Sequence, residues 1–574
     1  MKYYRISGKK RKECLARGRG GMVVSASRLA SEAGIEIMKK GGNAFDAAVA
    51  VSLVLAVVEP TCSGLGGNGF MTAYLAGEKR TVFLDFWTAA PGFATPENWK
   101  KKDPERPGAW TVGIPGEPAG LDHIAKHYGR LPLAELAAPA IRLARDGFPV
   151  SRLLADDIRA FRDKMLLYAV PDNVYLSRDW QEGDILKNPP FARTLEEFAR
   201  GGADAFYRGE LTDRIIAGLN RFGGQFTRDD FDRYRVRTGE PVRGTYRGYE
   251  IFSSNLPSSG GTHVLENLNM LENFPVSAWG FDSPERLFTL SEIFKKSFSD
   301  RKAYMGDPAY VKVPRKGLLS KEYAKTLADG IVFGAPQKPE PGDPFAYESA
   351  DTTHFSIVDA EGNMVAQTQT ISNFFGSCIV PEGTGIFMNC QINGMKEDSV
   401  KPYKRPISST SPTLVFKDGK PFAVIGTPGA NRIISTVTQI ISNLIDHGMS
   451  MEKALFAPRI CCDTDGLLYY EADFDPATVR AIKEMGQPLK GLAPLARYMG
   501  GAGGILFEED GSLSAAADPR RDGSALSEDP LPAPPHRDQP VSYRRKRGFI
   551  RRGGYHRGCP YGRQKAWEEV QTIY

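Results

Sequence analysis

An α+β fold is predicted for this 574-residue chain, and two patterns carry the prediction. Several long segments repeat apolar residues at helical spacing, whereas the segment after Asp351 alternates with period two around turn-forming residues. Antiparallel hairpins beside long helices make a layered sandwich the expected architecture.

From the N-terminus, Leu29, Ala33 and Ile37 lie on one helical face, and Gly41-Gly42 interrupts the pattern. Residues 47–58 are then almost uniformly apolar, as in a helix buried all round. The stretches 131–146, 195–200 and 211–222 are amphipathic, and 283–304 follows in the same style, so exposed charged faces are expected on these helices. Residues 353–358 and 364–371 alternate around Asp359-Ala360-Glu361-Gly362-Asn363, and 413–416 and 422–425 do so around Lys417-Asp418-Gly419-Lys420, giving two hairpins. Ile433, Ile434, Val437, Ile440, Ile441 and Leu444 return to helical spacing, which stops at Gly448. Past Arg520 the pattern ends. A proline-rich run at 529–535 and the basic run 544–547 make residues 526–574 a tail with no packed core. Tyr543, Phe549 and Tyr555 stand among its arginines, but the composition favours a solvated tail over a nucleic-acid-binding one.

Composition bounds the function classes. Hydrophobic residues make up 41% and charged residues 25%, mean hydropathy is -0.33, and no apolar run reaches the ~20 residues of a membrane span, so no membrane association is expected. The net charge of +6 hides its distribution. Residues 1–20 carry eight Lys/Arg against Glu13, and 535–574 carry ten against Asp538, Glu568 and Glu569, so each end is +7 and the middle is near -8. The first segment, 1–20, is read as a basic extension with no apolar stretch of a secretory leader behind it. Seven cysteines without regular spacing argue against a disulfide framework and make the reducing cytoplasm the expected home. His123 and His127 form an i, i+4 pair without acidic support, read as helix surface; no metal and no cofactor is expected.

The chemistry begins at Asp351-Thr352-Thr353-His354. A threonine hydroxyl needs an adjacent base, and a threonine at a chain terminus supplies one in its own α-amine, whose ordinary pKa is about 7.7–8.0. Cutting between Asp351 and Thr352 would create such a terminus. By itself the tripeptide is more often a buried strand. Around it, in order, stand Gly41-Gly42-Asn43-Ala44-Phe45-Asp46 followed by Glu59-Pro60 and Gly64-Leu65-Gly66-Gly67-Asn68-Gly69, then Pro257-Ser258-Ser259-Gly260-Gly261. Beyond Thr352 come Lys404-Arg405-Pro406-Ile407-Ser408-Ser409, Gly426-Thr427-Pro428-Gly429-Ala430-Asn431-Arg432 and Ala517-Asp518-Pro519-Arg520.

In these blocks the chain resembles the γ-glutamyltransferase (glutathione hydrolase) family of N-terminal-nucleophile hydrolases. The resemblance implies a four-layer αββα sandwich, one continuous fold made of two chains, 21–351 and 352–525, cut from one precursor. That overrules the three or four domains suggested by about 150 residues per domain. It implies Thr352 as nucleophile, Thr370 as its hydrogen-bonding neighbour, and the backbone N–H groups of Gly429 and Ala430 as the oxyanion donors. A glycine usually stands at 430, and an alanine keeps the donor unless the loop needs positive φ there. The implied partners are a small amide or peptide substrate and a water or amine acceptor, and a homo-oligomer is left open.

Substrate-binding positions depart from the family. The arginine that clamps an α-carboxylate falls at Trp87, and the aspartate that holds an α-ammonium falls at Gly394. An assisting asparagine falls at Ser372, with Asn373 one residue away, while Gln391, Ser408 and Ser409 are kept. The 394–404 linker is too short for a lid. Without those charges γ-glutamyl specificity is expected to shift toward an apolar or aromatic acyl group unless another arginine takes over, and Trp87→Arg with Gly394→Asp is expected to restore it. Three readings follow: an autoprocessed Thr amidohydrolase with shifted acyl specificity, a genuine γ-glutamyltransferase, and an unprocessed, non-catalytic binding protein.

Overall fold

The computed structural model describes residues 7–103, 105–338, 351–395 and 397–532. Two seven-stranded sheets, antiparallel at every pairing, form its centre. Sheet one runs Leu15–Gly18, Leu513–Ala517, Gly503–Phe507, Lys420–Gly426, Thr413–Lys417, Tyr249–Ser253, Val242–Tyr246. Sheet two runs Ser524–Ser527, Met22–Ser25, Asp351–Val358, Met364–Ser372, Asn68–Leu75, Arg80–Phe86, Arg237–Gly239.

Period-two alternation decides how the sheets stack. Met22, Val24, Val358 and Ala366 of sheet two meet Leu414, Phe416, Val424 and Ile505 of sheet one in a shared apolar layer. The intervening Val23, Phe355, Ile357 and Val365 face the other way, into helices that include Ala44–Val58. Gly260–Leu271 and Arg432–Ile445 pack beside sheet one, completing a helix-sheet-sheet-helix sandwich of the α+β class.

Local chemistry fixes the elements. Asn43 caps the Ala44–Val58 helix in a capping box with Asp46, and the helix then runs through the core with almost every side chain buried. Thr413–Lys417 and Lys420–Gly426 are joined by Asp418 and Gly419, both at positive φ (51° and 73°), as a two-residue hairpin turn requires.

Three sequence expectations are corrected. The Pro284–Tyr304 helix has no charged solvent face along most of its length: Arg286, Glu292 and Lys295 are buried. Arg286 Nη2 donates to Asn443 Oδ1 at 2.8 Å, and Lys295 Nζ to Glu292 Oε1 at 2.6 Å and Gln487 Oε1 at 2.7 Å, so its polarity serves an interior network. The basic extension 1–20 is partly built into the fold. Gly8–Cys14 is helical, Leu15–Gly18 forms the edge strand of sheet one, and Arg11 and Arg17 pair with Glu452 and Asp510. The fold also runs past residue 525, since Ser527 pairs with Met22 and the Leu531 N–H donates to Arg17 O at 2.8 Å. The rest of the tail, 533–574, lies outside the described residues.

Candidate active site

Two neighbouring strands of sheet two set the site. Asp351 pairs with Ser372 and Thr353 with Gln369, so Thr352 alone faces both Thr370 and Ile371 across a bulge. On its other side Thr370 pairs with Asn68, which follows the glycine-rich block. A Cβ on Gly67 would lie 2.5 Å from Thr370 O, so this approach requires a glycine. The Thr370 hydroxyl accepts the Ser372 N–H at 2.8 Å.

A cavity of about 370 Å³ opens beside Thr370. Its wall brings together Trp87, Thr370, Gln391, Gly394, Ser408, Ser409 and Ala430, drawn from strands and loops far apart in the chain. Ser372 and Asn373 do not line it. Ser372 stands at φ 81° with its N–H turned to Thr370, and the Asn373 N–H is turned to Cys390 Sγ at 3.5 Å.

The 426–432 loop supplies two donors. Gly429 and Ala430 take φ of 134° and 52°, and their carbonyls accept the N–H groups of Arg432 and Ile433, both at 3.1 Å, as the Arg432–Ile445 helix begins. Their own N–H groups meet no acceptor among the described residues. Two such donors at the start of a long helix suit a developing oxyanion. The loop therefore does need positive φ at 430, and alanine there costs about 1–2 kcal/mol relative to an unstrained backbone.

Trp87 is 2% exposed and lies flat on Phe70 with ring centroids 4.8 Å apart. It is a wall of the cavity, not a projecting apolar surface. Sequence reasoning missed several polar wall residues: Arg301, Asp307, Arg405, Asn431 and Asp463. Arg405 is buried against Asp85, and its N–H donates to Asp307 Oδ2 at 2.9 Å. Arg405 and Asn431 stand inside the quoted blocks and were legible as polar neighbours of the serines and glycine; no local signal marks Arg301 or Asp463. Burial holds the Lys404 ammonium below the usual lysine range, reinforced by Lys401.

His354 takes no direct part in the cavity wall. Its Nδ1 meets Thr368 Oγ1 at 2.8 Å and its Nε2 meets Ser356 Oγ at 3.0 Å, and burial pushes its pKa down to about 3, so the ring is neutral. A Cβ on residue 426 would stand 2.2 Å from His354 Cε1, which accounts for Gly426. The His123 and His127 ring centroids lie 4.2 Å apart with the planes tilted by 40°, and no cluster of three metal-binding side chains occurs among the described residues.

The gamma-glutamyltranspeptidase family model matches residues 30–527. The chain belongs to that family. Among gamma-glutamyltranspeptidase relatives, the glutathione hydrolase proenzyme of Escherichia coli (strain K12) is 38% identical over 533 residues, covering 88% of this chain and 91% of that one. The acylase ACY 1 proenzyme of Pseudomonas sp. (strain SE83) is 36% identical over 546 residues, covering 89% and 94%. The crystal structure of cephalosporin acylase from Bacillus halodurans superposes with a TM-score of 0.82 at 30% identity, covering 92% of this chain and 98% of that one. This gamma-glutamyltranspeptidase-family chain is thus an autoprocessing amidohydrolase or acyltransferase of the N-terminal-nucleophile type. Its relatives divide between glutathione hydrolases and acylases.

Proposed function

We propose that Thr352 becomes the N-terminal nucleophile of an amide hydrolase whose acyl specificity has moved away from γ-glutamyl. The supporting observation is the bulge that brings the backbone of Thr352 opposite Thr370, since Thr370 lines a cavity that also holds Ala430 of the donor loop. Once the Asp351-Thr352 bond is cut, Thr352 Oγ attacks the amide carbonyl carbon and its α-amine takes the hydroxyl proton. The oxyanion lies against the Gly429 and Ala430 N–H groups, the amine departs with the proton, and water resolves the ester. The shift rests on Trp87 and Gly394, neither of which can pair with a charged substrate group. Losing two charge-assisted partners costs a zwitterionic acyl group about 1.5–3 kcal/mol each, so glutathione is expected to be a poor substrate. Large leaving groups fit a cavity rim that includes the exposed side chains of Tyr304, Tyr310 and Val311.

A genuine γ-glutamyltransferase is the second reading, favoured by Gln391, Ser408 and Ser409 in the cavity wall and by the name of the Escherichia coli relative. Intact mass, measured before and after incubation with a γ-glutamyl anilide and an aromatic acyl anilide, tests both. Two chains meeting at 351/352, with the acyl adduct on the smaller, support the nucleophile, and the heavier-labelling anilide names the acyl class. One unmodified chain would sink both readings.

A further inference from the structure

Glu59 caps the end of the Ala44–Val58 helix, its N–H donating to Leu55 O at 2.8 Å. The turn that follows reaches the strand ends where the cut falls: Cys62 O accepts the Ile371 N–H at 3.1 Å, and the backbone of Thr352 faces Ile371 across the bulge. The Glu59 side chain is 14% exposed, and Arg521 Nη1 stands 3.9 Å from its Oε1 while donating to Cys62 Sγ at 3.3 Å. The other oxygen, Oε2, is buried and meets no donor among the described residues, and Thr353 Oγ1 is likewise buried without a hydrogen-bond partner. Burial raises the Glu59 carboxyl above the usual glutamate range, and Arg521, the Thr353 hydroxyl and Arg497 draw it back down. The carboxyl therefore lies beside the residue that follows Thr352.

A buried acceptor without a donor costs about 1–3 kcal/mol, so an orphaned carboxylate oxygen calls for a reason. The cut supplies donors at this place. One peptide N–H of Thr352 becomes an amine with two, and with three once it takes the nucleophile's proton. A carboxylate that accepts from such a base fixes its orientation and stabilises the charge it gains, as the acid of a hydrolase triad does for its histidine. The neighbouring charges limit how far this goes. Arg521 and Arg497 favour the neutral amine, Asp522 opposes them, and Arg497 is itself paired with Asp157 Oδ1 at 2.8 Å. Of the other titratable groups close by, Cys62 is engaged by Arg521, and His354 is neutral and held on Thr368 and Ser356.

We propose that Glu59 is a positioning residue for the nucleophile: its Oε2 accepts a hydrogen bond from the α-amine that the 351/352 cut creates on Thr352, and so turns that amine toward the threonine hydroxyl. The proposal rests on the Thr352 reading and adds a third member to it. It also accounts for an acceptor that stands without a donor in the uncut chain.

The test compares full-length wild type, Glu59→Gln and Glu59→Asp by intact mass and by the pH profile of kcat/KM on the better of the γ-glutamyl and aromatic acyl anilides. Cutting uses the Thr352 hydroxyl and no free amine, so Glu59→Gln should still give two chains. Its kcat should fall about 10- to 100-fold with KM within about threefold of wild type. The acid limb should move down by about one pH unit, because an anion that favours the ammonium is gone while Arg521 and Arg497 remain. Glu59→Asp should keep the wild-type limb. A cut Glu59→Gln enzyme with an unmoved limb overturns the proposal, and so does a folded Glu59→Gln chain that stays uncut. If Glu59→Gln does not fold, or neither anilide turns over, acetic anhydride labelling of the mature wild type across pH decides, read by mass on the smaller chain. The Thr352 amine should titrate within about half a unit of the ordinary 7.7–8.0. An amine left to Arg521 and Arg497 alone would titrate at least about one unit lower, which overturns the proposal. An uncut wild type sinks the Thr352 reading and this proposal with it, whereas a cut, active wild type whose limb Glu59→Gln leaves in place sinks the proposal alone.

Discussion

The indole N–H of Trp87 donates to the carbonyl of Pro406 at 2.9 Å, tying the end of the Arg80–Phe86 strand to the loop that carries Ser408 and Ser409. Arg405, next to Pro406, is already buried against Asp85. Trp87→Arg would set a second guanidinium beside the first and remove the stack on Phe70. It is expected to cost about 3–5 kcal/mol, read from a urea melt. The double change suggested by the sequence is therefore the wrong construction. Gly394→Asp alone, on the cavity wall, should raise γ-glutamyl turnover without that loss, and an unchanged rate would count against the position assigned to Gly394.

Thr352→Ala should leave one 63.0 kDa chain on a denaturing gel. Hydrolysis of any amide substrate should fall by about 10³-fold or more. Normal cleavage in this variant would move the nucleophile elsewhere.

Ala430→Gly should raise stability by up to about 1 kcal/mol, because relief of the left-handed strain exceeds the extra freedom gained by the unfolded chain. Activity should be kept, since the donor at 430 is a backbone N–H. A fall in Cm would mean that the methyl group is packed, not strained.

Acid should destabilise the fold through His354. Its folded pKa, about 3, lies below the ordinary histidine value of about 6.5, so the unfolded chain binds the extra proton. This contribution to stability is complete above pH about 6.5 and is lost as pH falls toward 3, by about 1.4 kcal/mol per pH unit. Urea melts of wild type and His354→Gln between pH 4 and 7 should differ by that slope. Parallel lines would mean that the imidazole is protonated in the fold.

Truncation separates two parts of the C-terminal segment. Removing 533–574 should leave folding and turnover unchanged. Cutting after residue 525 removes Leu526 and Ser527 from their pairing with Val23 and Met22, at an expected cost of about 2–4 kcal/mol in thermal or urea unfolding.

What could be read in advance follows the range of the forces involved. The 47–58 apolar run and the Asp418-Gly419 turn are local signals, and each stands where its sequence placed it. Glycines such as Gly67 and Gly426 were legible as motif letters, but their reasons, the backbone of Thr370 and the ring of His354, come from other strands. The charges of the Pro284–Tyr304 helix were misread because their partners, Asn443 and Gln487, lie well over a hundred residues downstream. Arg301 was missed because a lone arginine in a helix looks like surface until Ser259, 42 residues before it, and Ser409, 108 residues after it, are set against it.

The strand order has a consequence for the molecule after a cut at 351/352. Met22–Ser25, from the first piece, is clasped between the Asp351–Val358 strand, which belongs to the second piece from Thr352 onward, and Ser524–Ser527 of the second, and in sheet one the second piece fills the middle while the first holds both rims. Five strand-to-strand seams would join the two polypeptides, so neither could leave without tearing both sheets. The pair would behave on dilution as a single woven body, coming apart only when it unfolds, and the cut would free an amine without creating a dissociable subunit.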